Sequence, residues 1–350
     1  MDRRTTPLGD LANPEKFTSP IDIGEIATDT LLDWLRQMLV IRKAEEQLAR
    51  WASDGVARTP CHLGIGQEAC AVGVAAALRA SDRVFGGHRG HSQYLAMGGG
   101  LTELFAEVLG RSTGASRGMG GSMHLYAGST GFHGSVPIVA ATISIAVGAG
   151  LAAKMDGRGD IGVCFFGDGA AEEGVLHESL NLAASQEIPV LFVCENNLYS
   201  SHLDIKARQP NDRVARYADA HEVQALTVDG NDVVTTAEAA SALIGNARTN
   251  SKPGFLELIT YRHRGHVGPN EDIDVGVRRT MSDLEAWKRR DPISRLVVAL
   301  EATGKASEST VIGLIEEIEE AVGAAAEVAL TAPYPEDDQL TAFVYGGSAS

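Results

Sequence analysis

The stretch that most constrains this chain runs from Ile161 to Tyr199 and reads IGVCFFGDGAAEEGVLHESLNLAASQEIPVLFVCENNLY. An apolar run, Ile161 to Phe166, ends in Gly167-Asp168-Gly169. A helical segment follows, and a second apolar run, Ile188 to Cys194, ends in Glu195-Asn196-Asn197. Strand, tight turn, helix and strand make a βαβ unit. Its two strands are parallel, so Asp168 and Asn197 emerge together at their carboxyl ends, where open α/β sheets bind ligands. A carboxylate and an amide oxygen meeting there suit a hard divalent cation. Mg²⁺ takes few protein oxygens and completes its octahedron with phosphates and water. The plain alternative is that Asp168 only caps the helix.

Composition narrows the remaining classes. The chain has 350 residues, 44% of them hydrophobic and 22% charged, as an ordinary globular protein does. A net charge of −16 argues against nucleic acid as a partner. No apolar run reaches membrane-spanning length, and the first residues lack the apolar core of a signal peptide. Cys164 and Cys194 fall inside apolar runs, while Cys61 and Cys70 lack zinc-type pairing. The expectation is a reduced, cytoplasmic protein.

Residues 1–20 are polar and carry Pro7, Pro14 and Pro20, which suggests an arm that is mobile or orders on a partner. Helical spacing then predicts an amphipathic helix from Asp29 to Trp51. A small-residue helix over 67–79 and a short strand, Asp82 to Phe85, precede Gly86-Gly87-His88-Arg89-Gly90-His91. Glycines there allow close approach to a ligand, and Arg89 offers a charged fork for phosphate. After a helix over 101–109, residues 110–137 form a glycine-rich segment too long for an idle connector. It leads into Ala141 to Lys154, a small, apolar helix expected to be buried against another helix or another subunit. A strand over 226–228, a helix over 235–246 and a strand over 254–261 follow. The aperiodic loop after Tyr261 carries His263 and His266. Trp287 to Thr303 and Ser309 to Leu330 complete the helices, with Asp291-Pro292 as a cap. The expected fold is α/β, a doubly wound, mostly parallel sheet with helical flanks. Its parts are an N-terminal arm (1–27), one domain with its C-terminal helices (28–333) and a tail (334–350).

Gly-Asp-Gly followed by Asn-Asn resembles the thiamine diphosphate motif. Further motifs stand in order around it. They are His62 with Gly66-Gln67-Glu68-Ala69, Arg89-Gly90-His91, Gly120-Gly121-Ser122-Met123-His124, Val228-Asp229-Gly230, Tyr261-Arg262 with Gly265-His266, and Trp287 with Asp291-Pro292-Ile293. Together they make residues 30 to 330 similar to the alpha subunits of the thiamine diphosphate-dependent dehydrogenase component of 2-oxoacid dehydrogenase complexes. The pyruvate, branched-chain 2-oxoacid and acetoin branches share that architecture. His88, where the pyruvate branch usually has Tyr, leans toward the acetoin branch.

The resemblance implies roles. Asp168, Asn197 and the Tyr199 carbonyl would ligate Mg²⁺. The Gly169 and Ala170 amides, His88, Arg89 and His266 would hold the diphosphate end, and backbone near Pro137 and Val139 the aminopyrimidine. His62, His266 and His91 would be catalytic. In the family, the glutamate that activates the aminopyrimidine comes from a beta subunit, so the resemblance implies an α2β2 heterotetramer with half the site on each chain. The implied reaction is oxidative decarboxylation of a 2-oxoacid, or cleavage of acetoin, with acyl transfer to a lipoyl carrier and its acyltransferase. A carboligase or acyltransferase of a specialised pathway is the alternative, prompted by the unusual residues 267–275. A family diphosphate arginine aligns with Tyr217, beside Arg216, and Ala140 stands where glycine is commoner.

Overall fold

A computed structural model describes residues 6–273 and 279–342. Residues 1–5 of the arm, 274–278 of the loop after His266 and 343–350 of the tail lie outside the described residues. Six strands form the main sheet: β1 (Arg83–Gly86), β2 (Phe132–Ser135), β3 (Gly162–Gly167), β4 (Val190–Asn196), β5 (Gln224–Asp229) and β6 (Gly254–Ile259). Their order is β2-β1-β3-β4-β6-β5, and every neighbouring pair is parallel.

An all-parallel sheet needs cover on both faces, and side-chain alternation supplies two apolar faces. Val163, Phe165, Leu191, Val193, Leu256 and Leu258 point into one cluster. That cluster packs against helices Thr28–Ser53, Glu68–Ala75, Val233–Asn250, Pro292–Ala302 and Glu308–Thr331. Cys164, Phe166, Phe192, Cys194 and Phe255 point into a second, covered by helices Ala141–Asp156 and Gly174–Ser185. The sheet is therefore doubly wound. All four cysteines are buried and free. Among the described residues, no helix is long and apolar enough to cross a membrane.

Four local readings change. The described part of the arm is docked, not mobile. Leu8 is buried beside Ile259, Tyr261 and Trp287, and Arg290 Nη1 donates to the carbonyls of Leu11 (2.8 Å) and Asn13 (3.2 Å). The segment from Trp287 to Thr303 is two helical pieces. Met281–Lys288 ends near Trp287, and Asp291 then caps Pro292–Ala302 by accepting from the amides of Ile293 and Ser294. Strand β2 and a short helix, His91–Ala96, form where no periodicity showed. Finally, helix Ala141–Asp156 buries only one face. Ile145, Leu151 and Met155 are exposed on it, Met155 at 80%.

The glycine-rich segment is held by one carboxylate. Glu107 is fully buried and accepts backbone N–H bonds from Ser116 (2.6 Å), Gly118 (2.9 Å), Gly120 (2.7 Å) and Gly121 (3.0 Å). A Cβ at Gly120 would stand 2.3 Å from the His124 carbonyl oxygen, so glycine is required for this close wrap. Glu107→Leu strips the acceptor from four amides at once. The expected loss is about 3 kcal/mol or more, since each orphaned buried donor costs about 1–3 kcal/mol. Urea denaturation checks it, and an unchanged midpoint contradicts it.

Candidate active site

All six strands run the same way, so the loops that leave β1, β2, β3, β4 and β6 open on one edge of the sheet. The strand order turns back between β1 and β3, and a crevice forms at such a point. A cavity of about 230 Å³ lies there. Gly87, His88 and Arg89 follow β1, and Pro137 to Ala140 follow β2. Asp168 to Ala170 follow β3, Asn197 and Tyr199 follow β4, and His266 lies on the loop after β6. Every residue assigned to the site above lines this cavity except His91.

The metal-type corner is set by register. Gly167 of β3 pairs with Glu195 of β4, so the next residues along the two strands converge. Asp168 is 1% exposed, and burial pushes its carboxyl upward, opposed by the Arg208 guanidinium. Arg208 donates Nη2 to Asp168 Oδ2 and Nη1 to Glu172 Oε1. Among the described residues, Asp168 Oδ1 has no side-chain hydrogen-bond partner. Asn197 donates Nδ2 to Gln67 Oε1 (3.2 Å), which leaves its Oδ1 with a weak bond from the Tyr199 amide at 3.3 Å. An orphaned buried carboxylate oxygen beside an underused amide oxygen fits a hard cation.

The anion-type wall is tied together by backbone. Arg89 donates to the carbonyls of Leu63 and His266. Segment 61–66 is laced to the loop after β6, through His263 N to Ile65 O and Gly268 N to Cys61 O, both 2.8 Å. This lacing sets His62 against His266, with ring centroids 5.1 Å apart, and His88 lies 4.7 Å from His62. Burial, then the positive charge of Arg89, depresses these imidazoles. His62 falls to about 4, His88 to about 2 and His266 to about 3. All three are neutral at pH 7, while Arg89, lowered by burial to about 10, stays charged. Neutral imidazoles beside a fixed cation can accept or pass protons once an anion joins them.

His91 has a different place. Its ring is fully buried, with Nδ1 3.2 Å from Glu45 Oε1 and Nε2 2.8 Å from Ser122 Oγ. It joins helix Thr28–Ser53 to the glycine-rich segment and is a positioning residue, so its assignment as catalytic is corrected. Arg216 does not stand in for a phosphate arginine either. It stacks on Tyr217 and donates to Gln209 Oε1, and neither residue lines the cavity. Besides Arg89, Arg208, which no motif marked, reaches Asp168 from outside the cavity lining. Glu195 was also missed. It lines the cavity, takes both oxygens' bonds from Gln93 Nε2 (2.9 and 3.0 Å), and burial lifts it to about 7.

The model of the family described as "Dehydrogenase E1 component" matches residues 36–338. The chain belongs to that family. Pyruvate dehydrogenase E1 component subunit alpha of Zymomonas mobilis is 36% identical over 313 residues, covering 89% of this chain and 87% of the relative. The corresponding subunit of Rhizobium meliloti is 32% identical, with 91% and 90% covered. The alpha subunit of acetoin:2,6-dichlorophenolindophenol oxidoreductase from Bacillus subtilis is 35% identical, with 89% and 92% covered. Membership in the E1 family implies use of thiamine diphosphate and a beta-subunit partner.

Ala140 sits at φ +66 at the start of helix Ala141–Asp156. A left-handed non-glycine residue costs about 1 kcal/mol, so Ala140→Gly should raise stability by roughly that amount in urea melts. The histidines give a pH signature. Their folded pKa values lie below the ordinary 6.5, so the unfolded chain binds protons first. That share of stability is complete above pH 6.5 and is lost as pH falls toward 4. His88→Gln should lose less stability than the wild type between pH 7 and pH 5; parallel losses contradict the depressed value.

Proposed function

We propose that this chain is the alpha subunit of a thiamine diphosphate-dependent dehydrogenase that acts on a 2-oxoacid or on acetoin. The observation that supports it most is the convergence of a cation-type corner and an anion-type wall in one cavity. Asp168 Oδ1, Asn197 Oδ1 and the Tyr199 carbonyl would hold Mg²⁺. The Gly169 and Ala170 amides, with Arg89 and His266, would meet the diphosphate. His88 stands on the same wall. Backbone at Pro137 and Val139 would face the aminopyrimidine. Bound there, thiamine diphosphate supplies a nucleophilic carbon and an electron sink for cleaving the bond next to a carbonyl.

The chain's own residues do the rest. Arg89 fixes negative charge without losing its proton at neutral pH. His62 and His266 present neutral nitrogens to the cavity, able to take a proton from a reacting oxygen and return it. The apolar walls Phe165, Phe166 and Met123 limit water. Lipoyl transfer, with an acyltransferase as partner, fits the first reading; a carboligase fits the second. Reaction with free lipoamide separates them.

An α2β2 assembly is the expected form. Ile138 is 70% exposed and Val139 51% exposed at the cavity, and the bare face of helix Ala141–Asp156 begins next to them. Exposed apolar groups at the mouth of a site suit cover by another subunit.

The test is Asp168→Asn in the enzyme assembled with its beta subunit. The amide keeps an oxygen but loses the negative charge that the corner offers Mg²⁺, because Asn197 and the Tyr199 carbonyl are both neutral. Calorimetric affinity for thiamine diphosphate with Mg²⁺ should fall at least about 100-fold, and turnover should fall with it. Unchanged binding would remove the metal assignment.

A further inference from the structure

The cavity holds a second cluster of possible metal ligands, distinct in chemistry from the oxygen corner at Asp168. His62, His88 and His266 each offer one ring nitrogen, and these nitrogens all lie within 4.8 Å of one another. The three rings meet edge to face in every pairing, with centroids 4.7, 5.1 and 5.5 Å apart. They come from three separate segments, so no single helix or turn forces the grouping. His62 is nine-tenths buried and lines the cavity.

We propose that His62, His88 and His266 form a three-imidazole site for a zinc-type transition-metal dication, and that its occupation closes the enzyme to substrate. Three histidines with an open fourth position are a known zinc arrangement. Nitrogen donors select zinc, nickel or copper and leave Mg²⁺ to the oxygen corner. Zinc–nitrogen bonds of about 2.0–2.1 Å need the nitrogens drawn closer together, through side-chain rotation.

The surrounding charges set the strength. Arg89 and Arg262 face the cluster and oppose a cation. Asp272 accepts from the His266 amide at 3.0 Å and lies 3.3 Å from His202 Nε2, which restores part of the balance. Binding is therefore weaker than at a resident structural zinc. It is reversible, a matter of inhibition and not of catalysis. The metal site itself stands on the three rings, whereas its effect on turnover rests on the function proposed above.

Co²⁺ tests the site directly, because four-coordinate Co²⁺ absorbs strongly in the visible and the octahedral ion does not. Titration of the full chain, alone and with its beta subunit, should produce one such band per chain, erased by Zn²⁺. His88→Phe and His266→Gln should each raise the apparent Kd at least about 100-fold, since even supporting groups around a metal ligand are worth 10–100-fold. His202→Phe should keep the band. Thermal melts of each variant show that the fold is kept. No band in the wild type, or a band that survives both ligand variants, overturns the site. A band without Zn²⁺ inhibition of turnover overturns the closing role. Thiamine diphosphate affinity, measured on the same samples by calorimetry, shows separately whether the proposed function holds.

Discussion

Asp168 is a carboxylate at 1% exposure, and much of the site follows from what that burial demands. A buried charge must be paired or it neutralises. Arg208 pairs one oxygen, and among the described residues no side chain pairs the other. The parallel register of β3 on β4 then carries Asn197 to the same edge. The carboxylate is half compensated, and the remaining half is an invitation to a cation. Arg89, proposed to meet phosphate, opens on the same cavity because β1 and β3 are neighbours and Arg89 follows the end of β1.

The same device recurs as scaffold. Glu107 gathers four amides of the glycine-rich segment. Glu257, buried on β6, accepts from the amides of Val214 and Ala215 and from Asn196 Nδ2, so it pins the segment that follows the site to the end of β4. Glu45 takes the Gly64 amide and meets His91, which links helix Thr28–Ser53 to the segment bearing His62. Loops at the carboxyl edge lack ladder partners for their backbone, and each of these carboxylates replaces several. The chain's acidity is thus partly internal architecture, beyond the solubility that net charge alone suggests.

What the sequence showed, and what it hid, divides along this line. The apolar runs around Gly167-Asp168-Gly169 and Glu195-Asn196-Asn197 revealed the sheet, because central parallel strands are buried on both faces and read as unbroken apolar stretches. The ordered motifs then marked the cavity wall. Strand β2, Phe132–Ser135, escaped because it is four residues long and two of them are His133 and Gly134. The docking of the arm escaped because its partners, Arg290 and Arg295, lie more than two hundred residues away in sequence. His91 was marked by a motif and misread, since a motif reports position and cannot tell a lining ring from one buried behind it. Arg208 and Gln93 carry no pattern of their own; only the fold brings them to Asp168 and Glu195.

The central claim is that this chain contributes half of a cofactor site. The cation corner and the anion wall are present, while Ile138 and Val139 stand exposed at its mouth. The most direct measurement is the affinity of thiamine diphosphate with Mg²⁺ for the chain alone and for the chain assembled with its beta subunit. The account predicts weak binding to the isolated chain and a gain of at least about 100-fold on assembly, of the order that one ligated subunit confers on another's site through coupling of about 3 kcal/mol. Equal affinity in the two states would contradict it.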